Sequence, residues 1–382
     1  MRFDDLDAKC TLIAEAVRKI AERRNELCGI LKKIRFKALF SNLTPPLRSG
    51  IRDAALSIPV TPTELVGLHI AGVDGGLVSN QLQYLDVVLT RAVGVIFRYH
   101  QYSKIAVEQL VSHESSPEIT VKTEALSRGE FEALSSIRRA ITEIDLARKA
   151  VEQKSINVLL LDGSILPQKA DRPVADSPVV EEYQTMLKCY QQFYEACEER
   201  GVLAFGCIKD SKATQFRETF TRALPTIIQH CRRELAPLLT VDYRHILLGM
   251  FDSELFYRLL APRERSCCFP IEETPTNPEA GQGPDHPIYC FYLKTVARDF
   301  PLRIEFLAGH ENPQLRADRI ASVVYPLSSH HAEYGLPSVL IEADARARLH
   351  QVDLDLIVEN IRTRIGTPDP WLMRRERSIF YF

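Results

Sequence analysis

Two kinds of apolar pattern alternate along the chain. Ile156 and Val158 to Leu161 are apolar with almost no alternation, as in a strand buried on both faces of a sheet. That run stops at Asp162, followed by Gly163, which can take backbone angles closed to other residues, and Ser164. The segment from Leu68 to Gly76 is built the same way: a short apolar run reaches Asp74 and breaks on two glycines. Between these strands, Leu134, Ile137, Ile141, Ile144 and Val151 recur at helical spacing, which predicts a helix over 129–153. Tyr84 to Tyr99 has room for two strands, which with the first would make an antiparallel meander.

The flanking regions follow the same rules. Leu6, Cys10, Ile13, Val17, Ile20, Leu27, Leu31 and Ile34 alternate spacings of four and three, apart from one slot filled by Arg24. This predicts a long helix or coiled-coil arm whose other faces are basic. Residues 168–180 are polar and proline-bearing, a loop beside the strand ends, and 181–199 read as a helix. Residues 201–208 are another apolar strand, ending at Lys209-Asp210-Ser211. Residues 269–287 form a loop or insertion, 288–294 and 302–307 a hairpin, and 335–348 a helix led by Pro337.

Composition narrows the classes. A 382-residue chain with 45% hydrophobic and 26% charged residues is an ordinary globular protein of one large or two modest domains. No apolar run approaches the roughly 20 residues of a membrane span, and the acidic N-terminus lacks a signal-peptide core, so a cytoplasmic protein is expected. Nine cysteines without a C-x-x-C pair fit reduced thiols rather than disulfides or a zinc site. A net charge of −2 gives no bulk attraction to nucleic acid; binding it would need a locally basic groove. No G-x-x-x-x-G-K-[ST] is present, so ATP hydrolysis is not expected.

Two strands that each end in Asp-Gly suggest two acids side by side, and paired acids suggest a divalent metal. The order Gly-Val-Asp74-Gly-Gly, helix, Leu-Leu-Asp162-Gly-Ser, Ile-Lys209-Asp-Ser, then Gly-Leu336-Pro with Asp344 eight residues beyond resembles the NurA nucleases over about 68–350. The resemblance implies an α/β fold with a ribonuclease H-like mixed sheet flanked by helices, carrying an N-terminal helical arm (1–60) and insertions within a nuclease domain (61–382). It also implies a manganese-dependent DNA nuclease: an exonuclease of 5′–3′ polarity with single-strand endonuclease activity. Such proteins form homodimers and work with HerA, a hexameric DNA-translocating ATPase, in end resection and repair. Two departures stand out: Leu336 replaces the family's tyrosine, and Asp344 replaces a common histidine while keeping a metal-binding oxygen.

Phosphodiester hydrolysis by two metals about 4 Å apart needs several carboxylates converging on one spot. Asp74 and Asp162 would supply two, and oxygen-rich sites suit Mn²⁺ or Mg²⁺. A third acid belongs on the preceding helix, where Glu143 and Asp145 compete. Glu143 shares its face with Ala140, Ala147 and Ala150, whereas Asp145 sits among Arg138, Lys149 and Glu152, so Glu143 is favoured. Asp344 borders a buried helix face as the fourth ligand. Lys209, at a strand end, would hold a phosphate oxygen. Asp210 reads as a helix cap, and Lys212, Arg346 and Arg348 as phosphate contacts. The competing readings are a catalytically inactive ribonuclease H-like subunit that binds DNA or an ATPase, and a hydrolase of small phosphate esters.

Overall fold

The computed structural model describes residues 3–365 apart from 49, 83–84, 102–104, 113–115, 125 and 272–286. The chain folds into two compact units, each assembled from discontinuous stretches. The first comprises mainly 65–207 and 337–382, and the second 1–64, 208–272 and 288–336.

The first unit is built on the strands the apolar runs predicted. They are β1 (His69–Gln81), β2 (Asp86–Arg98), β3 (Ala106–Val111), β4 (Glu118–Lys122), β5 (Val158–Asp162) and β6 (Leu203–Ile208). Strand β2 pairs antiparallel with β1, β3 and β4, while β5 lies parallel to β1 and β6 parallel to β5. The sheet order β6-β5-β1-β2-β3 is the ribonuclease H-like arrangement. Its helices are α1 (Arg128–Gln153), α2 (Val180–Arg200), α3 (Ser338–Ala347) and α4 (Gln351–Ile365). Helix α1 begins at a reciprocal capping box between Ser127 and Glu130 and buries Leu134, Ile137, Ile144, Ala147 and Val151. Helix α2 ends at Gly201, whose left-handed φ of 63° closes the turn into β6. Where two strands were expected between Tyr84 and Tyr99, the structure has one 13-residue strand, β2. No turn-forming pair interrupts the run, and Gly94 stays in register opposite Val73. Residue 84 lies outside the described residues.

In the second unit, short antiparallel strands (Ser57–Pro59, Glu264–Ser266, Ile288–Lys294, Leu302–Leu307) stand beside helices that include Phe3–Lys32, Gln215–His230 and Asp252–Leu259. The N-terminal helix changes character along its length. Ile13, Val17 and Ile20 are 49–63% exposed, whereas Leu27, Leu31 and Ile34 at the end of the same seam are wholly buried in the core. Nearby, the buried Arg265 guanidinium bridges Asp53 and Asp318. All nine cysteines are free thiols.

Candidate metal centre

Register brings the first two acids together. Ile70 stands opposite Val158 and Val73 opposite Leu161 along β1 and β5. One step beyond come Asp74 and Asp162, so the parallel pairing carries both carboxylates to the same level and the same face. Helix α3 packs against β1 and β2 and supplies Asp344. One carboxylate oxygen each from Asp74, Asp162 and Asp344 lies within 4.8 Å of the other two.

Glu143 arrives from the opposite face of the sheet, on α1. Its approach depends on Gly75: a Cβ there would lie 2.2 Å from Glu143 Oε1 and 2.7 Å from its carboxyl carbon. The pair of glycines after Asp74 therefore serves close approach on both faces, because a Cβ on Gly76 would meet the Ala347 carbonyl of α3 at 2.0 Å. Gly163 has the positive φ expected of it, 132°.

The centre is electrostatically strained. Burial, with the charges of Asp162 and then Glu143, pushes the Asp74 carboxyl up to about 7, against the opposing Gly75 amide and Arg139. The Gly75 N–H donates to Asp74 Oδ1 at 2.8 Å. Glu143 is also raised, chiefly by burial, while Arg139 one turn earlier donates to its Oε1 at 2.6 Å and pulls the other way. Arg139 pairs with Glu143 and Arg348 with Asp344, against four carboxylates in all. A hard divalent cation fits such a set: three convergent carboxylate oxygens, short of positive charge, in a half-buried place.

Arg139, Glu143, Asp162, Ser164, Gln168 and Asp171 line a cavity of about 160 Å³. Of the three clustered aspartates only Asp162 lines it. Arg139 and Asp171 are absent from the sequence reading. Arg139 was detectable as the i−4 partner of Glu143. Asp171 lies in the loop expected beside the strand ends and accepts from Ser136 Oγ at 2.7 Å, a contact no local pattern announces.

Among the remaining candidates, Arg348 touches the cluster, whereas Asp145 and Arg346 pair within their own helices. Asp145 accepts from Arg148 at 2.8 Å and Lys149 at 2.7 Å. Arg346 pairs with Glu342, whereas Arg348 donates to Asp344 Oδ2 at 3.2 Å. Lys209 is exposed in the bend just past β6, at the start of the 208–272 stretch of the second unit. Asp210, expected as a cap, precedes the helix Gln215–His230 by five residues and adopts φ 48°. That helix takes its acceptor from far along the chain instead: Asp252 accepts from the Phe216 and Arg217 amides at 3.0 and 2.8 Å.

The NurA domain family matches residues 68–349. The chain belongs to the NurA family. Among solved structures, the NurA nuclease from Sulfolobus solfataricus superposes with a TM-score of 0.56 at 14% identity, covering 97% of this chain and 99% of that one. A second NurA crystal structure gives 0.50 at 10% identity over 98% and 100%. At such identities the likeness establishes a shared NurA fold. No curated protein matches the sequence.

Proposed function

We propose that this NurA-family chain is a metal-dependent deoxyribonuclease that hydrolyses phosphodiester bonds at the Asp74–Asp162–Asp344 cluster. The observation that carries the reading is the convergence of those three carboxylates within 4.8 Å, in a chain whose family match spans both strands and the helix that supply them. Asp74, Asp162 and Asp344 hold a divalent cation, Mn²⁺ or Mg²⁺, with Glu143 as a fourth ligand that would let the centre take two ions. When bound, the metal supplies Lewis-acid polarisation of the scissile phosphoryl group and stabilises its developing charge. Arg139 orients Glu143 through Oε1 and opposes the burial that raises its carboxyl. Lys209 enters the proposal as a point charge for a phosphate oxygen, to be tested by Lys209→Ala.

The finer features follow from family membership and remain part of the proposal: exonuclease action, homodimerisation, and work with a HerA-type hexameric ATPase in DNA end resection. The solvent-exposed apolar half of the N-terminal helix supports a partner contact, since Leu12, Ile13 and Val17 have no core to enter. Among the described residues no helix is long and apolar enough to cross a membrane.

Digestion of end-labelled DNA with Mn²⁺, comparing the unaltered protein with Asp162→Ala, tests the assignment. The variant should lose about three orders of magnitude in rate while remaining folded. Near-normal cleavage by folded Asp162→Ala would refute it. Absence of cleavage by either protein, with DNA still bound, would favour the inactive-subunit reading.

A further inference from the structure

The second unit contains a hollow of about 550 Å³ whose wall is unusually rich in cations. The last turns of the N-terminal helix give it Asn25 and Lys32, and Arg35 follows. Tyr257 and Arg258 come from the end of helix Asp252–Leu259, and Lys294 from the end of strand Ile288–Lys294. No carboxylate lines it.

The four cations are not equally compensated. Arg35 pairs with Glu264 at 3.2 Å, and Arg258 with Glu254 at 2.9 Å, an acid it shares with Arg24. Lys294 has no such partner. It is 2% exposed, its ammonium lies 3.8 Å from the centre of the Tyr257 ring, and it donates to the Asp299 backbone carbonyl. The Asp299 carboxylate is taken by the Phe300 and Gly335 amides, each at 2.8 Å. Among the described residues neither Lys294 nor the exposed Lys32 forms an ion pair. Burial pushes Lys294 down to about 8, opposed by the nearby Asp299 charge and reinforced by Lys32.

We infer that this hollow is a binding site for a phosphate monoester. Lys32 and Lys294, the two lining lysines without an ion pair among the described residues, offer their ammonium groups to the charge of about −2 that a monoester carries near neutral pH, which an internal phosphodiester does not reach. Arginines already oriented by Glu254 and Glu264 leave a rigid cationic wall around them. The volume admits inorganic phosphate, a nucleotide or a phosphorylated DNA end. The inference does not rest on the nuclease reading, because all of its residues belong to the second unit.

Calorimetric titration of the full-length protein in EDTA tests it, with inorganic phosphate, thymidine 5′-monophosphate, a 5′-phosphorylated trinucleotide and its 5′-hydroxyl twin as probes. The site predicts saturable binding of at least one monoester and none of the hydroxyl twin. Lys32→Ala should weaken binding about tenfold, as loss of one charge-assisted contact does, and Asp162→Asn should leave it unchanged. Binding of inorganic phosphate with neither ester overturns the monoester assignment, and tighter binding of the nucleotide or trinucleotide than of phosphate identifies the phosphorylated end. Lys294→Met should abolish binding; should that variant not fold, Lys32→Ala still decides. The inference is overturned if no monoester binds saturably, if Lys32→Ala binds as before, or if Asp162→Asn removes the binding.

Discussion

Asp74→Asn is expected to stabilise the metal-free protein at alkaline pH while removing its activity. Asp74 is 8% exposed, and its carboxyl sits at about 7 against an ordinary value of 3.8. In the folded protein the proton is therefore retained over a range where the unfolded chain has already lost it. Stability drawn from this group is greatest below about pH 4, falls as the pH climbs towards about 7, and is flat above that. At about 1.36 kcal/mol per pH unit, the gap corresponds to about 4 kcal/mol of strain from the ionised form, an upper figure. Asparagine keeps the shape and an oxygen for the Gly75 N–H, but carries no charge. Urea unfolding in EDTA at about pH 8 should show a gain on the order of 2–4 kcal/mol for Asp74→Asn, shrinking towards zero at about pH 4.5. Mn²⁺ at about a hundredfold excess over Kd should close most of that gap, because the unaltered protein gains about 2.7 kcal/mol and the variant little. Equal stabilities at both pH values would refute the claim that Asp74 is strained by burial and by its acidic neighbours.

Gly75→Ala should displace the Glu143 carboxyl, because the new methyl would fall 2.2 Å from Oε1. A stability loss of about 1–3 kcal/mol and a larger loss of Mn²⁺-dependent cleavage are expected, measured by urea midpoint and single-turnover digestion. Glu143→Gln should abolish cleavage and Asp145→Asn should not, since Arg148 and Lys149 hold Asp145 apart from the cluster; the reverse outcome in the same assay would make Asp145 the ligand. Removing residues 1–20 should leave a soluble protein with altered solution mass or ATPase association, whereas removal through Ile34 strips Leu27, Leu31 and Ile34 from the core and should prevent folding. Light scattering and pull-down on the shorter deletion check the partner contact, which is excluded if both are unchanged.

Much of the ribonuclease H-like unit was legible in the chain before any coordinates. Runs such as Val158–Leu161 declare themselves because burial on both faces demands uninterrupted apolar residues, and α1 does so because one face must repeat every 3.6 positions. Those signals are local, and so is the strand end at Asp162. Tertiary structure decided what local patterns do not carry. The parallel register between β1 and β5 sets the two aspartates level, and the packing of α3 brings in Asp344 from about 180 residues beyond Asp162. Gly75 looked like a strand breaker, yet it lies within β1 and makes room for Glu143. The heptad-like seam of the N-terminal helix runs on with one pattern, but only its second half found a core to fill. Its sequence could show that an apolar face exists; the presence of a partner surface depends on residues 200 and more positions away, which periodicity does not encode.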